Sequence, residues 1–173
     1  ADANVDSTPI VVICGQISID MLGTDAFQEV DVIGVTSPIT KWAYQIRRAE
    51  DVAWAVSRAF YIARTGRPGP VVLDFPKNAQ TEMVDYKPAN VDFVRSYDPD
   101  PDADRDVIVK AATMINNCVK PFVIVGHGVE LGNAQEELKA FLEKAQIPAG
   151  CTLLGLSALP TDHPLNMGML GMH

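Results

Sequence analysis

Pro9-Ile10-Val11-Val12-Ile13-Cys14-Gly15-Gln16-Ile17-Ser18-Ile19-Asp20-Met21-Leu22-Gly23-Thr24-Asp25-Ala26-Phe27-Gln28-Glu29 is the stretch whose reading decides the fold. Residues 9–14 form an apolar run with no polar spacer, the pattern of a parallel strand buried on both faces. The run ends at Gly15 and opens into a polar loop, which places that loop at the carboxyl edge of a sheet. Open α/β sheets bind their ligands at that edge. Gly15 and Gly23 free the backbone to turn sharply or to approach a ligand. Thr24 or Asp25 is a candidate cap for a short helix carrying Phe27 and Gln28.

Working outward, residues 50–65 repeat apolar positions at a helical period, with Val52, Val56, Ala59, Phe60 and Ala63 on one face. Glu50 and Asp51 in the first turn and Arg64 in the last suit the helix dipole. Gly66 and then Pro68 stop the helix. Residues 70–75 read as a further strand, ended by Pro76-Lys77. Strand, helix and strand in this order make the right-handed crossover of a parallel sheet. Between them, residues 31–35 read as a short strand broken at Pro38, and Thr40 to Gln45 as an aromatic surface turn packed by Trp42.

From residue 78 to 105 the composition turns to Asp and Pro, an extended acidic linker rather than a packed element. A second α/β unit follows. Val107, Ile108, Ala111, Ile115 and Cys118 mark an amphipathic helix, residues 121–125 a strand, and Leu138, Phe141, Leu142 and Ala145 one side of another helix. Residues 147–151 read as a short strand, and 152–173 show no sustained period. The fold class is therefore α/β, built of doubly wound parallel-sheet units.

The totals bound the function. The chain has 173 residues and a net charge of −8, with a pI near 4.7. A chain this acidic lacks the basic field that nucleic acid or an anionic membrane surface requires. No apolar run approaches the roughly 20 residues that span a bilayer. Cys14, Cys118 and Cys151 lack the paired spacing of a zinc or redox motif, which suits buried thiols in a reducing cytosol. Without an initiator Met, the chain reads as an internal piece of a longer protein.

Three places could carry chemistry. Gly126-His127-Gly128 follows a strand and precedes a helix, as in a dinucleotide fingerprint whose backbone receives a phosphate. Leu131 stands where the NAD pattern wants its third glycine, so a nucleotide-phosphate turn and a plain tight turn both remain open. Arg67 sits on the rigid turn Gly66-Arg67-Pro68 and presents a planar fork to phosphate, a flat ring or water. Lys77, just past a strand's carboxyl end, faces an anionic substrate or solvent. No Ser/His/Asp or Cys/His relay can be assembled.

Gly15-Gln16 with Gly23-Thr24-Asp25-Ala26-Phe27-Gln28-Glu29 resembles the GQ…GTDAFQE segment of the acetolactate synthase large-subunit family. Further segments resemble that family in order: Lys41 its TK, Ala63 to Val71 its A-x-SGRPGPV, and Asp74 to Asn78 its D-x-PKD. Cys151 to Leu156 is similar to STLMGLG and Met169 to His173 to MLGMH. The resemblance implies three parts. Residues 1–85 are the latter half of a thiamine-diphosphate pyrimidine-binding domain, 86–105 an acidic Pro-rich linker, and 106–173 the first part of a central Rossmann-like FAD-binding domain.

It also implies roles. Phe27, Gln28 and Lys77 face an active site shared between subunits. Arg67, Gly126, His127, Gly128, Thr152, Leu153, Leu170, Gly171, Met172 and His173 contact FAD, which does no redox work in this family. Thiamine diphosphate and Mg²⁺ carry the chemistry, and their activating glutamate and metal motif lie outside this chain. The implied reaction decarboxylates pyruvate and condenses it with a second 2-oxo acid, pyruvate or 2-oxobutyrate. The implied assembly is a homodimer or tetramer, with a regulatory small subunit as a possible partner. The isolated stretch is expected to be inactive. Departures from the family pattern are Gly126-His127-Gly128 for three glycines, and Ser18 where many members have proline. Two other readings stand beside this one: another thiamine-diphosphate carboligase or oxidase, such as glyoxylate carboligase, and a non-catalytic nucleotide-binding module.

Overall fold

The computed structural model of the chain describes residues 1–171. The polypeptide divides into two compact units, Ala1–Asp102 and Ala103–His173. Each holds a three-stranded sheet whose pairs are all parallel.

In the first unit, α1 (Asp2–Val5) precedes β1 (Val11–Gln16). β1 runs past Cys14 because Gly15 and Gln16 pair with Phe75 and Pro76. After the loop come α2 (Val32–Thr36), β2 (Trp42–Gln45), α3 (Val52–Arg64), β3 (Val71–Pro76) and α4 (Lys77–Thr81). The strand order is β1-β3-β2, so β3 is central and its carboxyl end lies between the other two.

Two expectations are corrected here. Residues 31–35 are not a strand: Asp31 caps α2, its Oδ1 accepting the Gly34 N–H at 2.9 Å. Satisfying an orphan donor at the helix start outweighs the β preference of Val32, Ile33 and Val35. Residues 42–45 are not a surface turn but β2, paired in parallel with β3. Trp42 and Tyr44 share a strand face, stack at 5.2 Å and meet Trp54 of α3 edge-on. Arg58 lies over the Trp42 and Trp54 rings at 4.9 and 5.2 Å.

The core lies between β3 and α3. Val71 and Leu73 pack with Ile46, Ala55, Ala59, Ile62 and Ala63. The small residues at 55, 59 and 63 form one i, i+4 row and let the helix lie close to the sheet. Phe60, placed on the buried face by periodicity, is instead 56% exposed, one step round the helix from that row. Gly66 takes φ +57°, the left-handed cap anticipated from its position. Lys41 Nζ caps the same helix end, donating to the carbonyls of Ile62 and Thr65 (2.7 Å to the latter) and to the Tyr97 hydroxyl at 3.0 Å. Within the acidic Pro-rich stretch, Val94 is buried in this core and Val91 and Tyr97 pack against it. That stretch is thus anchored by its few apolar side chains, although its composition reads as extended.

In the second unit the order is α5 (Arg105–Asn116), β4 (Val123–Val125), α6 (Gly128–Leu131), α7 (Gln135–Ala145), β5 (Ala149–Cys151) and β6 (Asn166–Met169). Asp104 caps α5, accepting from the Asp106 and Val107 amides. The sheet order is β4-β5-β6, and its core joins Val125, Leu142, Ile147, Ala149, Cys151 and Leu159. Of the face predicted for α5, Ile115 packs on this core while Val107 and Ile108 are exposed. β6 was not expected: Asn166-Met167-Gly168-Met169 has no alternation, and its pairing with β5 is irregular. Among the described residues no helix is long and apolar enough to cross a membrane.

Candidate functional site

β1 and β3 end side by side, Gln16 in register with Pro76. The segments leaving them form a cleft of about 700 Å³ whose lining includes Gln16, Ser18, Gln28, Lys77, Asn78 and Thr81. Gln28 and Lys77, distant in sequence, thus face one space. Phe27 is outside that lining, and its side chain is 89% exposed.

The loop that delivers Gln28 is not the expected short helix. Asp25 (φ +58°) and Gln28 (φ +67°) adopt left-handed backbone, as does Gly23, which breaks any helical run. Glu29 folds back on this loop. Its two carboxylate oxygens accept the Gly23 N–H and the Ala26 N–H, the second at 3.2 Å. These amides, Gly23 foremost, hold the Glu29 carboxyl below its ordinary value of 4.5, against a smaller opposing effect of burial.

Sequence reasoning passed over the residues that brace this cleft. Gln16 donates from Nε2 to the Val30 carbonyl at 2.8 Å and accepts the Ile17 N–H at Oε1, tying the loop's exit to its start. Asn78 Oδ1 accepts the Ile19 N–H at 3.1 Å, tying that loop to α4. The usable signal was position: both residues lie at or just past the carboxyl ends of neighbouring strands. Beside them Asp74 is fully buried. Its Oδ2 takes the Gln45 amide at 2.7 Å, and its Oδ1 has no hydrogen-bond partner among the described residues. Chemically the cleft offers one cation, Lys77, among amides and hydroxyls. This set suits a small anion with carbonyl or hydroxyl groups.

In the second unit the candidate residues gather on one edge. Gly126 to Gly128 leave β4, Thr152 and Leu153 leave β5, and Leu170 and Gly171 leave β6. Thr152 donates its N–H to the Val125 carbonyl at 2.8 Å and Leu170 to the Cys151 carbonyl at 2.7 Å, which aligns the three exits. A Cβ built on Gly128 or Gly171 meets nothing within 4 Å, and one on Gly126 only Thr152 Oγ1 at 4.0 Å. The open space over this backbone is what a flat, phosphate-bearing cofactor such as FAD needs for close approach, so these residues fit it. α6 spans only Gly128–Leu131, and the long helix begins at Gln135. A helix dipole therefore adds little at this turn, contrary to the fingerprint reading. Met172 and His173 lie outside the described residues.

Arg67 belongs to the first unit. Its Nε donates to Ser7 Oγ at 2.8 Å and its Nη2 to the Val5 and Asn4 carbonyls at 2.9 and 3.3 Å. The guanidinium is thus held by the segment that carries α1. Among the described residues no His, Cys, Asp or Glu cluster could hold a metal ion.

The chain is similar to several known proteins. Residues 108–173 match the family described as thiamine pyrophosphate enzyme, central domain. The acetolactate synthase large subunit of Corynebacterium glutamicum is 44% identical over all of this chain, which covers 28% of that relative. Acetolactate synthase isozyme 1 large subunit of Escherichia coli is also 44% identical over all of the chain, which covers 30% of it. Among solved structures, a putative thiamin diphosphate-dependent enzyme from Mycobacterium smegmatis superposes with a TM-score of 0.78 at 30% identity, over 98% of this chain and 32% of its own. Benzoylformate decarboxylase from Polynucleobacter necessarius gives 0.77 at 28% identity, over 97% of this chain and 31% of its own. Over its whole length the chain is therefore similar to one segment, somewhat under a third, of acetolactate synthase large subunits, and its residues 108–173 match the model of the thiamine pyrophosphate enzyme central domain.

Proposed function

We propose that this chain serves as part of an acetolactate synthase large subunit, which decarboxylates pyruvate and joins it to a second 2-oxo acid, pyruvate or 2-oxobutyrate. The observation that carries the reading is the shared cleft of Gln28 and Lys77 at the carboxyl edge of β1 and β3. Thiamine diphosphate, held with Mg²⁺ by parts of the subunit beyond this stretch, supplies the electron sink for the decarboxylation. Lys77 attracts and orients the carboxylate of the incoming acid. Gln28 hydrogen-bonds its carbonyl or the product's hydroxyl, and Phe27 supplies an apolar surface where another subunit closes the site.

In this reading residues 1–85 complete a pyrimidine-binding domain, 86–105 connect it, and 106–173 begin an FAD-binding domain. FAD lies along Gly126 to Gly128, Thr152, Leu153 and Leu170 to His173. The assembly is a homodimer or tetramer in the cytoplasm, with a regulatory small subunit as a partner.

The test is acetolactate formation from pyruvate by the full-length subunit supplied with thiamine diphosphate, Mg²⁺ and FAD, beside the same assay on residues 1–173 alone. Activity is expected only in the first. Acetolactate above the no-protein control from the short chain, or none from the long one, would overturn the reading.

A further inference from the structure

The loop between β1 and α2 holds three left-handed residues within six positions: Gly23 at φ +82°, Asp25 at +58° and Gln28 at +67°. For Asp25 and Gln28 this conformation crowds Cβ against the carbonyl. Backbone of this kind persists only where its surroundings over-determine it. Glu29 provides that constraint. One carboxylate oxygen takes the Gly23 N–H and the other the Ala26 N–H, so a single side chain closes the segment on both sides of Asp25. The Glu29 amide donates to the Ala26 carbonyl at 2.9 Å, completing the turn that carries Phe27 and Gln28. Gln28, the residue just before Glu29, lines the cleft with Lys77. Glu29 does not; it lines a separate hollow of about 330 Å³ with Asp31, Gln45 and Arg47.

We propose that Glu29 is a positioning residue, which holds residues 23–28 in their left-handed arrangement and thereby sets Gln28 into the cleft without itself touching substrate. The proposal rests on the reading of that cleft as the 2-oxo acid site. A carboxylate is needed because its two equivalent oxygens accept two separate N–H groups at once. A glutamine offers one carbonyl oxygen, and its amide nitrogen cannot accept.

The experiment is a double-mutant cycle in the full-length subunit, loaded with thiamine diphosphate, Mg²⁺ and FAD and assayed for acetolactate formation from pyruvate. Glu29→Ala is expected to lower kcat/KM about tenfold, within the range found for coupled neighbours. In a Gln28→Ala background the same change is expected to lower it no further. Glu29→Gln, keeping one acceptor, should fall between Glu29→Ala and wild type. Melting temperatures should stay together, since the loop is exposed. An impaired Gln28→Ala on which Glu29→Ala adds its full loss overturns the proposal alone, as does a silent Glu29→Ala. A Gln28→Ala as active as wild type overturns both the cleft reading and this proposal. If Glu29→Ala does not fold, Glu29→Gln decides: full activity per folded molecule overturns the proposal, and a loss that vanishes with Gln28→Ala supports it.

Discussion

The two carboxyl sheet edges are built in opposite ways. At the first, side chains define the space: Gln16, Gln28, Lys77 and Asn78 line it, and a Cβ added at Gly15 meets nothing within 4 Å. At the second, backbone comes close to backbone. A Cβ on Gly155 would sit 2.5 Å from the Val125 carbonyl oxygen, while one on Gly150 would meet the Leu170 side chain at 2.6 Å. The first edge can therefore lose a functional group and keep its fold. The second cannot gain a methyl group at Gly155 without moving backbone, although Gly126, Gly128 and Gly171 face open space. Under the proposed function, the edge for a small substrate is made of replaceable groups, whereas the edge for a large flat cofactor is made of shape.

The largest expected effect tests the first half of that contrast. Lys77 is exposed at the start of α4 and fills no core volume. Lys77→Ala in the full-length subunit should lower kcat/KM for the 2-oxo acid on the order of 10²-fold, the upper end of what losing a hydrogen bond to a charged group costs. The melting temperature should stay within a few degrees. Activity and melting temperature falling together would break the contrast.

Next in size is Gly155→Ala. The new methyl meets a carbonyl of β4, a fixed atom rather than a flexible side-chain end, so the backbone must shift. Overpacking of this kind costs about 1–3 kcal/mol. Gly15→Ala, with open space and an ordinary strand conformation, should change stability by no more than about 0.5 kcal/mol. Denaturant melts of the two variants side by side read the difference. Equal losses would remove the distinction between the edges.

A loss of similar size is expected beneath the first edge. Asp74 is wholly buried, and Gln45 supplies its carboxylate's hydrogen bond at 2.7 Å. Gln45→Ala leaves that carboxylate without its partner, at a cost of about 1–3 kcal/mol. Replacing Asp74 by Asn in the same chain should recover part of it, because a neutral amide is cheaper to bury than a carboxylate. A double variant less stable than Gln45→Ala would show that Asp74 is held by something other than this pair.

Much of this architecture was legible because the strands carry strong, local signals. β4 is an unbroken apolar run, β1 is one up to Gly15-Gln16, β3 is interrupted only by Asp74, and α3 has a period and a glycine stop. The losses came where one tertiary or side-chain interaction overrode a local pattern. Asp31 turned a β-branched run into α2. The pairing of β2 with β3 made a strand of an aromatic stretch that reads as a turn, and β6 pairs without any alternation to announce it. In the candidate site, Lys77 was singled out by its place past a strand's carboxyl end and Gln28 by motif resemblance, neither through periodicity. Gln16, Asn78 and Glu29 brace the loop through hydrogen bonds to backbone atoms up to 59 residues away, and such bonds leave no periodic trace.

The smallest effect concerns the pH dependence of that loop. The Gly23 N–H, with that of Ala26, holds the Glu29 carboxyl below its ordinary value of 4.5. A carboxylate with a depressed folded value stabilises the folded loop above its unfolded value and loses that contribution as pH falls through the folded one. The loop should therefore keep its order from neutral pH down to about 4.5 and loosen below it. Peptide-resolved hydrogen exchange across residues 21–29, corrected for the intrinsic rate at each pH, reads this directly. Protection in the unmodified protein should fall in that acid window, while Glu29→Gln should show weaker protection with no matching step. Glu29 is only half-buried in a surface loop, so the change should stay confined to the loop and leave both sheets protected. A step centred above 4.5, or one that persists in Glu29→Gln, would mean that another acid governs the loop, and the side-chain edge would owe its order to something other than this carboxylate.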